Sequence, residues 1–140
     1  MKQTRFFTVG NLAVILTGAL LTFQNVDAHA AQNGYNNPLP ASIREVTDSP
    51  GQYHRKVILT KGKISSKVET KHHKGNDYTV FKMEDSGGGT PMLVYLRGKH
   101  ARLKTGDKLM VTGRYYKKRS YIKFFKLKNV LKGRKFEVLG

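Results

Sequence analysis

From residue 57 onward, apolar and polar positions fall into short alternating runs separated by turn signals, the period-two pattern of half-buried strands. The first strand region covers 57–68, apolar at Val57, Ile58, Leu59 and Ile64, with Gly62 inside it marking a bulge or sharp bend. A polar hairpin loop over 71–77 leads to a second strand, 78–84. That strand puts Thr79, Phe81 and Met83 on one face and Tyr78, Val80 and Lys82 on the other. After a turn at 85–89, the third strand, 92–97, alternates Met92, Val94 and Leu96 against Leu93, Tyr95 and Arg97. Residues 98–104 make a short crossing segment, a single helical turn pinned by Leu103, and Thr105-Gly106-Asp107 turns into a fourth strand over 108–116. There Leu109 and Val111 point inward and Gly113 marks another bend. A basic loop (Lys117, Lys118, Arg119, Ser120), a fifth strand over 121–130, a turn at Lys132-Gly133-Arg134 and a short terminal strand over 136–139 complete the pattern.

The N-terminal part follows other rules. Lys2 and Arg5 precede a largely apolar run from 6 to 23, and Ala28-His29-Ala30 supplies small residues where a signal peptidase requires them. The run is near the minimum of about 17 residues for a membrane span and contains Thr8, Gly10, Asn11, Thr17 and Gly18. Residues 1–30 are therefore expected to be a cleavable signal peptide rather than a retained anchor, so the mature chain works in the periplasm or the extracellular medium. Residues 31–42 read as a flexible mature N-terminus, and 43–140 as one domain. At its start Ser42 is placed to cap a short helix carrying Ile43 and Val46, which Ser49-Pro50-Gly51 ends.

Five strands bent by internal glycines, with a crossing segment between the third and fourth, predict an all-β fold: a five-stranded Greek-key barrel with a short N-terminal helix. A β-sandwich of this length would use about seven strands. Val57-Ile58-Leu59-Thr60-Lys61-Gly62-Lys63-Ile64 resembles the first strand of bacterial OB-fold domains similar to tRNA-anticodon-binding modules. Phe81-Lys82-Met83-Glu84-Asp85-Ser86-Gly87 resembles their second strand and its turn, and the run from Leu103 through Gly106-Asp107 to Gly113-Arg114 their fourth. The likeness spans about 43–131 and implies an OB barrel, a fold that binds oligonucleotides, oligosaccharides or proteins. Secreted staphylococcal-type nucleases and exported haem-chaperone domains share that fold, but the carboxylate-and-arginine pattern of the former and the His-x-x-x-Tyr motif of the latter are missing.

Charge narrows the partner. The chain has 26 Lys and Arg against 9 Asp and Glu. Lys2, Arg5 and Asp27 belong to the signal segment, leaving 24 against 8, a net +16. Such an excess repels itself in the compact state and points to a polyanion. The absence of cysteine excludes disulfides, thiol chemistry and a lipid anchor at the cleavage site.

The densest cationic and aromatic cluster is Arg114, Tyr115, Tyr116, Lys117, Lys118, Arg119, Tyr121 and Lys123, at the junction of the fourth and fifth strands. Rings that stack on bases and cations that follow phosphates are what a single strand requires. A solvated hairpin with its tyrosines packed on the barrel is the plainer alternative. A second candidate face carries Tyr78, Lys82, Tyr95 and Arg97. Charge continues through Lys126, Lys128, Lys132, Arg134 and Lys135. His72 and His73 are adjacent but surrounded by lysines, so no metal is expected, nor any cofactor; the scattered carboxylates offer no catalytic constellation. The expectation is a binding protein for nucleic acid with little sequence preference. A module for an acidic glycan, lipid head group or protein of the envelope is the alternative, and a hydrolase the remote third.

Overall fold

The computed structural model describes residues 32–120 and 126–140. The segment read as a signal peptide, together with Tyr121, Lys123, Phe124 and Phe125, lies outside the described residues. Gly34–Gly140 form one compact unit. Its elements are β1 (Leu39–Pro40), α1 (Ile43–Asp48), α2 (Pro50–Tyr53), β2 (Val57–Ile64), β3 (Glu69–His73), β4 (Asn76–Asp85), β5 (Gly88–Arg97), β6 (Lys108–Ser120) and β7 (Lys126–Leu139).

The strands run β1-β2-β6-β7-β5-β4-β3, and β2 also pairs with β4. That extra pairing joins β2, β6, β7, β5 and β4 into a ring, so each of the five has a neighbour on both sides. All contacts in the ring are antiparallel except β5 with β7. This is the Greek-key OB barrel, with β1 and β3 appended at its margins. Closure leaves the five main strands no open sheet edge along the paired stretches.

Strand alternation fills the barrel. Ile58 and Ile64 from β2, Phe81 and Met83 from β4, Met92, Val94 and Leu96 from β5, Leu109, Val111 and Tyr115 from β6 and Leu131 from β7 form one core. The capping helix behaves as the sequence predicts. The Ser42 side chain accepts from the Glu45 N–H at 3.0 Å and Glu45 Oε1 accepts from the Ser42 N–H at 2.9 Å, a reciprocal capping box. Ile43 and Val46 on its inner face are buried, each contributing about 1.5–3 kcal/mol by leaving water. Gly62 lets this helix approach: a Cβ there would lie 2.6 Å from Ile43 Cδ1 and 2.7 Å from the Glu84 carbonyl oxygen.

Several boundaries differ from the sequence expectation. The segment read as flexible contains a tight turn, with the Asn37 N–H donating to the Gly34 carbonyl at 3.0 Å, and then β1, which pairs in parallel with β2. After α1 the chain makes one further turn of helix, α2, started by Pro50. The expected loop over 71–77 is mostly ladder: β3 and β4 pair from Glu69↔Val80 to His73↔Asn76 around a two-residue turn. Lys74 (φ 49°) and Gly75 (φ 78°) take the left-handed conformation that such a turn requires. The crossing segment forms turns without a helix, although Leu103 is buried as expected. Finally, β7 runs without a break through Lys132-Gly133-Arg134. Its register against β6 shifts beside Gly113, so the extra residue is absorbed as a bulge rather than a turn.

Candidate functional site

The outer surface of the β6–β7 ladder concentrates the basic residues. Antiparallel partners project to the same side of a sheet and alternate residues share a face. The register sets Arg114 opposite Lys132, Tyr116 opposite Val130, and Lys118 opposite Lys128. Two like-charge rungs thus flank an apolar one, with about 13 Å between the charged rungs at the usual strand rise. Like charges placed directly across a ladder oppose folding, by an amount on the scale of 0.2–1 kcal/mol for a cross-strand pair. Among the described residues no carboxylate lies within ion-pair reach of Arg114, Lys118 or Lys128; the two ion pairs seen, Lys71–Glu69 and His72–Asp77, belong to the β3–β4 hairpin.

The bulge adds a further cation. Because Thr112 pairs with Lys135 while Gly113 pairs with Gly133, Arg134 is the unpaired residue of β7. Its guanidinium lies 4.6 Å from the ring centre of Tyr35, and that of Arg114 lies 5.9 Å from the same ring. Arg114 is held from its other side, since Nη1 donates to the Arg55 carbonyl at 2.6 Å. Along the edge of β6 away from β7, the Lys117 N–H donates to His54 Nδ1 at 3.0 Å, and the His54 ring meets Tyr116 edge-on at 6.2 Å.

The residues singled out in the sequence separate into four groups, the last of them two buried tyrosines. Arg114, Tyr116, Lys117 and Lys118 lie on β6, with Lys117 and Lys118 exposed and Arg114 and Tyr116 half-buried. Lys82 and Arg97 are exposed on β4 and β5, and Arg97 Nη2 donates to Asn76 Oδ1 at 2.7 Å. Arg119 belongs to β6, but its side chain, like Tyr121 and Lys123, lies outside the described set.

Two tyrosines must be withdrawn as stacking rings. Tyr115 is 0% exposed: it points into the barrel, where its hydroxyl donates to Asn129 Oδ1. Burial pushes its pKa up to about 12. Tyr95 is 3% exposed. It belongs to a second apolar cluster on the outer face of β4, β5 and β7, with Tyr78, Val80 and Val130, against which Leu93 and Tyr116 pack. Tyr78 and Tyr95 meet edge-to-face at 6.1 Å. The second candidate face therefore keeps its cations and has its rings committed to packing.

Tyr35 is the component that the sequence reading missed. It sits in a segment of Gln, Asn, Gly and Pro that carries no strand or helix pattern, and only the fold brings it to the arginines. Elsewhere the titratable groups serve the hairpin. His72 holds the Asp77 carboxyl below its ordinary value through a 2.8 Å hydrogen bond, and Lys71 does the same for Glu69. Among the described residues, no three His, Asp or Glu side chains gather to hold a metal, and no helix is long and apolar enough to cross a membrane.

No family model and no curated protein matches the chain. Among solved structures, a chain of the crystal structure of yeast Stn1 and Ten1 is similar in fold, with a TM-score of 0.52 at 14% identity. The match covers 76% of this chain and 65% of that one, so this protein spans just under two thirds of its neighbour's length. Identity this low speaks for the shared OB fold alone.

Proposed function

We propose that this chain is an exported, non-enzymatic OB-fold protein that binds single-stranded or otherwise extended nucleic acid, with little sequence preference, along the outer face of β6 and β7. The observation that carries this reading is the pair of opposed like-charge rungs, Arg114/Lys132 and Lys118/Lys128. A bound phosphate chain relieves the repulsion at each rung and releases its own counterions, so the same residues favour binding and disfavour the empty state. Lys82 and Arg97 border this track on the neighbouring outer face of β4 and β5. The OB fold is an architecture used to bind oligonucleotides, among other ligands, which supports the choice of nucleic acid at the level of architecture. The N-terminal pattern of residues 1–30 favours a second reading, in which an acidic glycan, lipid head group or protein of the envelope occupies the same track.

Fluorescence anisotropy with a labelled single-stranded oligonucleotide, at two salt concentrations and in competition with an acidic polysaccharide, separates the two. Nucleic-acid binding predicts micromolar or tighter affinity at low salt and retention of the oligonucleotide against an equal charge of polysaccharide. Absence of micromolar binding at low salt overturns the reading. Export is checked independently by N-terminal sequencing of the protein recovered outside the cytoplasm, which should begin at Ala31.

A further inference from the structure

The ring of Tyr35 has a position that packing does not account for. It belongs to neither apolar cluster and is only half-buried. The segment around it is polar, and the turn from Gly34 to Asn37 fixes the backbone on either side of the ring. Its neighbours are two guanidiniums, Arg134 at 4.6 Å and Arg114 at 5.9 Å. A cation over an exposed ring is worth only about 0.5–1 kcal/mol, a small return for ordering an aromatic side chain at the surface. Arg114 is tied to the Arg55 carbonyl, and Arg134 occupies the bulge position that places it beside Arg114 rather than across from a partner.

We propose that Tyr35, Arg114 and Arg134 form a nucleotide subsite, in which one base stacks on the open part of the Tyr35 ring and the two guanidiniums take the phosphates on either side of it. This rests on the polyanion-binding reading of the β6–β7 face and assigns that face a preference for polymers that carry bases. The combination is suited to that ligand. Stacking on an aromatic ring tolerates any base, because every base has a π-face, and a guanidinium matches phosphate with paired donors. An acidic glycan or a polyphosphate would use the arginines and gain little from the ring. The subsite joins two parts of the chain that are remote in sequence, the stretch just after the expected cleavage site and the central ladder. Trimming the mature N-terminus past Asn37 would therefore remove the base preference while leaving the cationic track.

The test compares the full mature chain with Tyr35→Ala, Tyr35→Phe and Arg134→Gln, using two probes: an oligothymidylate and an abasic oligomer of the same length and charge. The Tyr35→Ala protein should bind the oligothymidylate about 5- to 150-fold more weakly, the range expected for one stacked base, and bind the abasic oligomer as the parent does. Tyr35→Phe should retain both affinities. Arg134→Gln should weaken both probes and flatten their salt dependence. Equal weakening of the two probes by Tyr35→Ala, or no effect on either, overturns the subsite while leaving the polyanion reading in place. If the parent protein binds neither probe, the polyanion reading fails and the subsite with it.

Discussion

Replacing Lys118 and Lys128 by glutamine would remove one entire rung from the ladder, and the structure predicts opposite effects on binding and on stability. The two residues face each other directly across β6 and β7, and both are exposed. No described carboxylate compensates them. Neutralising both removes a like-charge opposition, so the free protein should gain up to about 1 kcal/mol of unfolding free energy. If each lysine meets one phosphate, the double variant loses two contacts, and the slope of log affinity against log salt should fall in magnitude by about 1.4 for a single strand. Over a fourfold rise in salt, the parent protein should then lose roughly seven times more affinity than the variant. Anisotropy titrations over a salt series read the first quantity, and urea unfolding followed by circular dichroism reads the second. An unchanged salt slope would show that this rung does not touch the polymer. A less stable double variant would show that Lys118 and Lys128 make compensating contacts, and the reasoning from opposed charges would be refuted.

Three further outcomes test the frame that holds this face. The buried Tyr115 hydroxyl, with its pKa raised to about 12, keeps its proton in the folded state beyond the ordinary value of 10.0. Its contribution to stability is therefore full below pH 10 and is lost as the pH rises toward 12, by an amount on the order of 2–3 kcal/mol; thermal melts of Tyr115→Phe should show no such alkaline decline from this site. Gly62→Ala should destabilise the barrel by roughly 1–3 kcal/mol in urea melts, because the added methyl meets the Glu84 backbone oxygen at 2.7 Å, which cannot rotate away. Ser42→Ala removes the N-cap of α1 and should cost about 0.5–2 kcal/mol, whereas Ser42→Asp should preserve most of the stability in the same assay.

The barrel was legible in the sequence because its determinants are local. The alternation Met92, Val94, Leu96 and the pair Leu109, Val111 specify an inner face without knowledge of partners, and all five are buried in the core. Gly62 and Gly113 mark places where another part of the chain comes close, and Ser42 with Glu45 spells out a helix start. The path of β7 was not legible, because whether Lys132-Gly133-Arg134 turns or passes straight depends on Gly113 across the ladder. The binding face was legible in part. Charge density identified β6, but the same alternation that revealed the core also requires Tyr115 and Tyr116 to point to opposite sides, and only Tyr116 lies on the outer one. Tyr95 could not be placed from its own strand. Its burial depends on an apolar cluster assembled from β4, β5 and β7, three strands that only the fold brings side by side. Tyr35 carried no signal at all, since its role comes from two arginines far along the chain.

The ring of strands closes at its narrowest between β2 and β4, where only Lys63↔Glu84 and Ile64↔Met83 pair. Every other junction of the ring is longer. Around the seam the chain adds single hydrogen bonds, from the Ser65 N–H to the Lys82 carbonyl at 2.9 Å and from the Ile64 N–H to the Asp107 carbonyl at 2.9 Å. A junction so short has the fewest bonds to break when the molecule breathes. In hydrogen–deuterium exchange the amide of Ser65, which bonds across the seam, should therefore exchange through a local opening, well before those in the β6–β7 ladder. The barrel would unzip at the seam while its basic face stays intact.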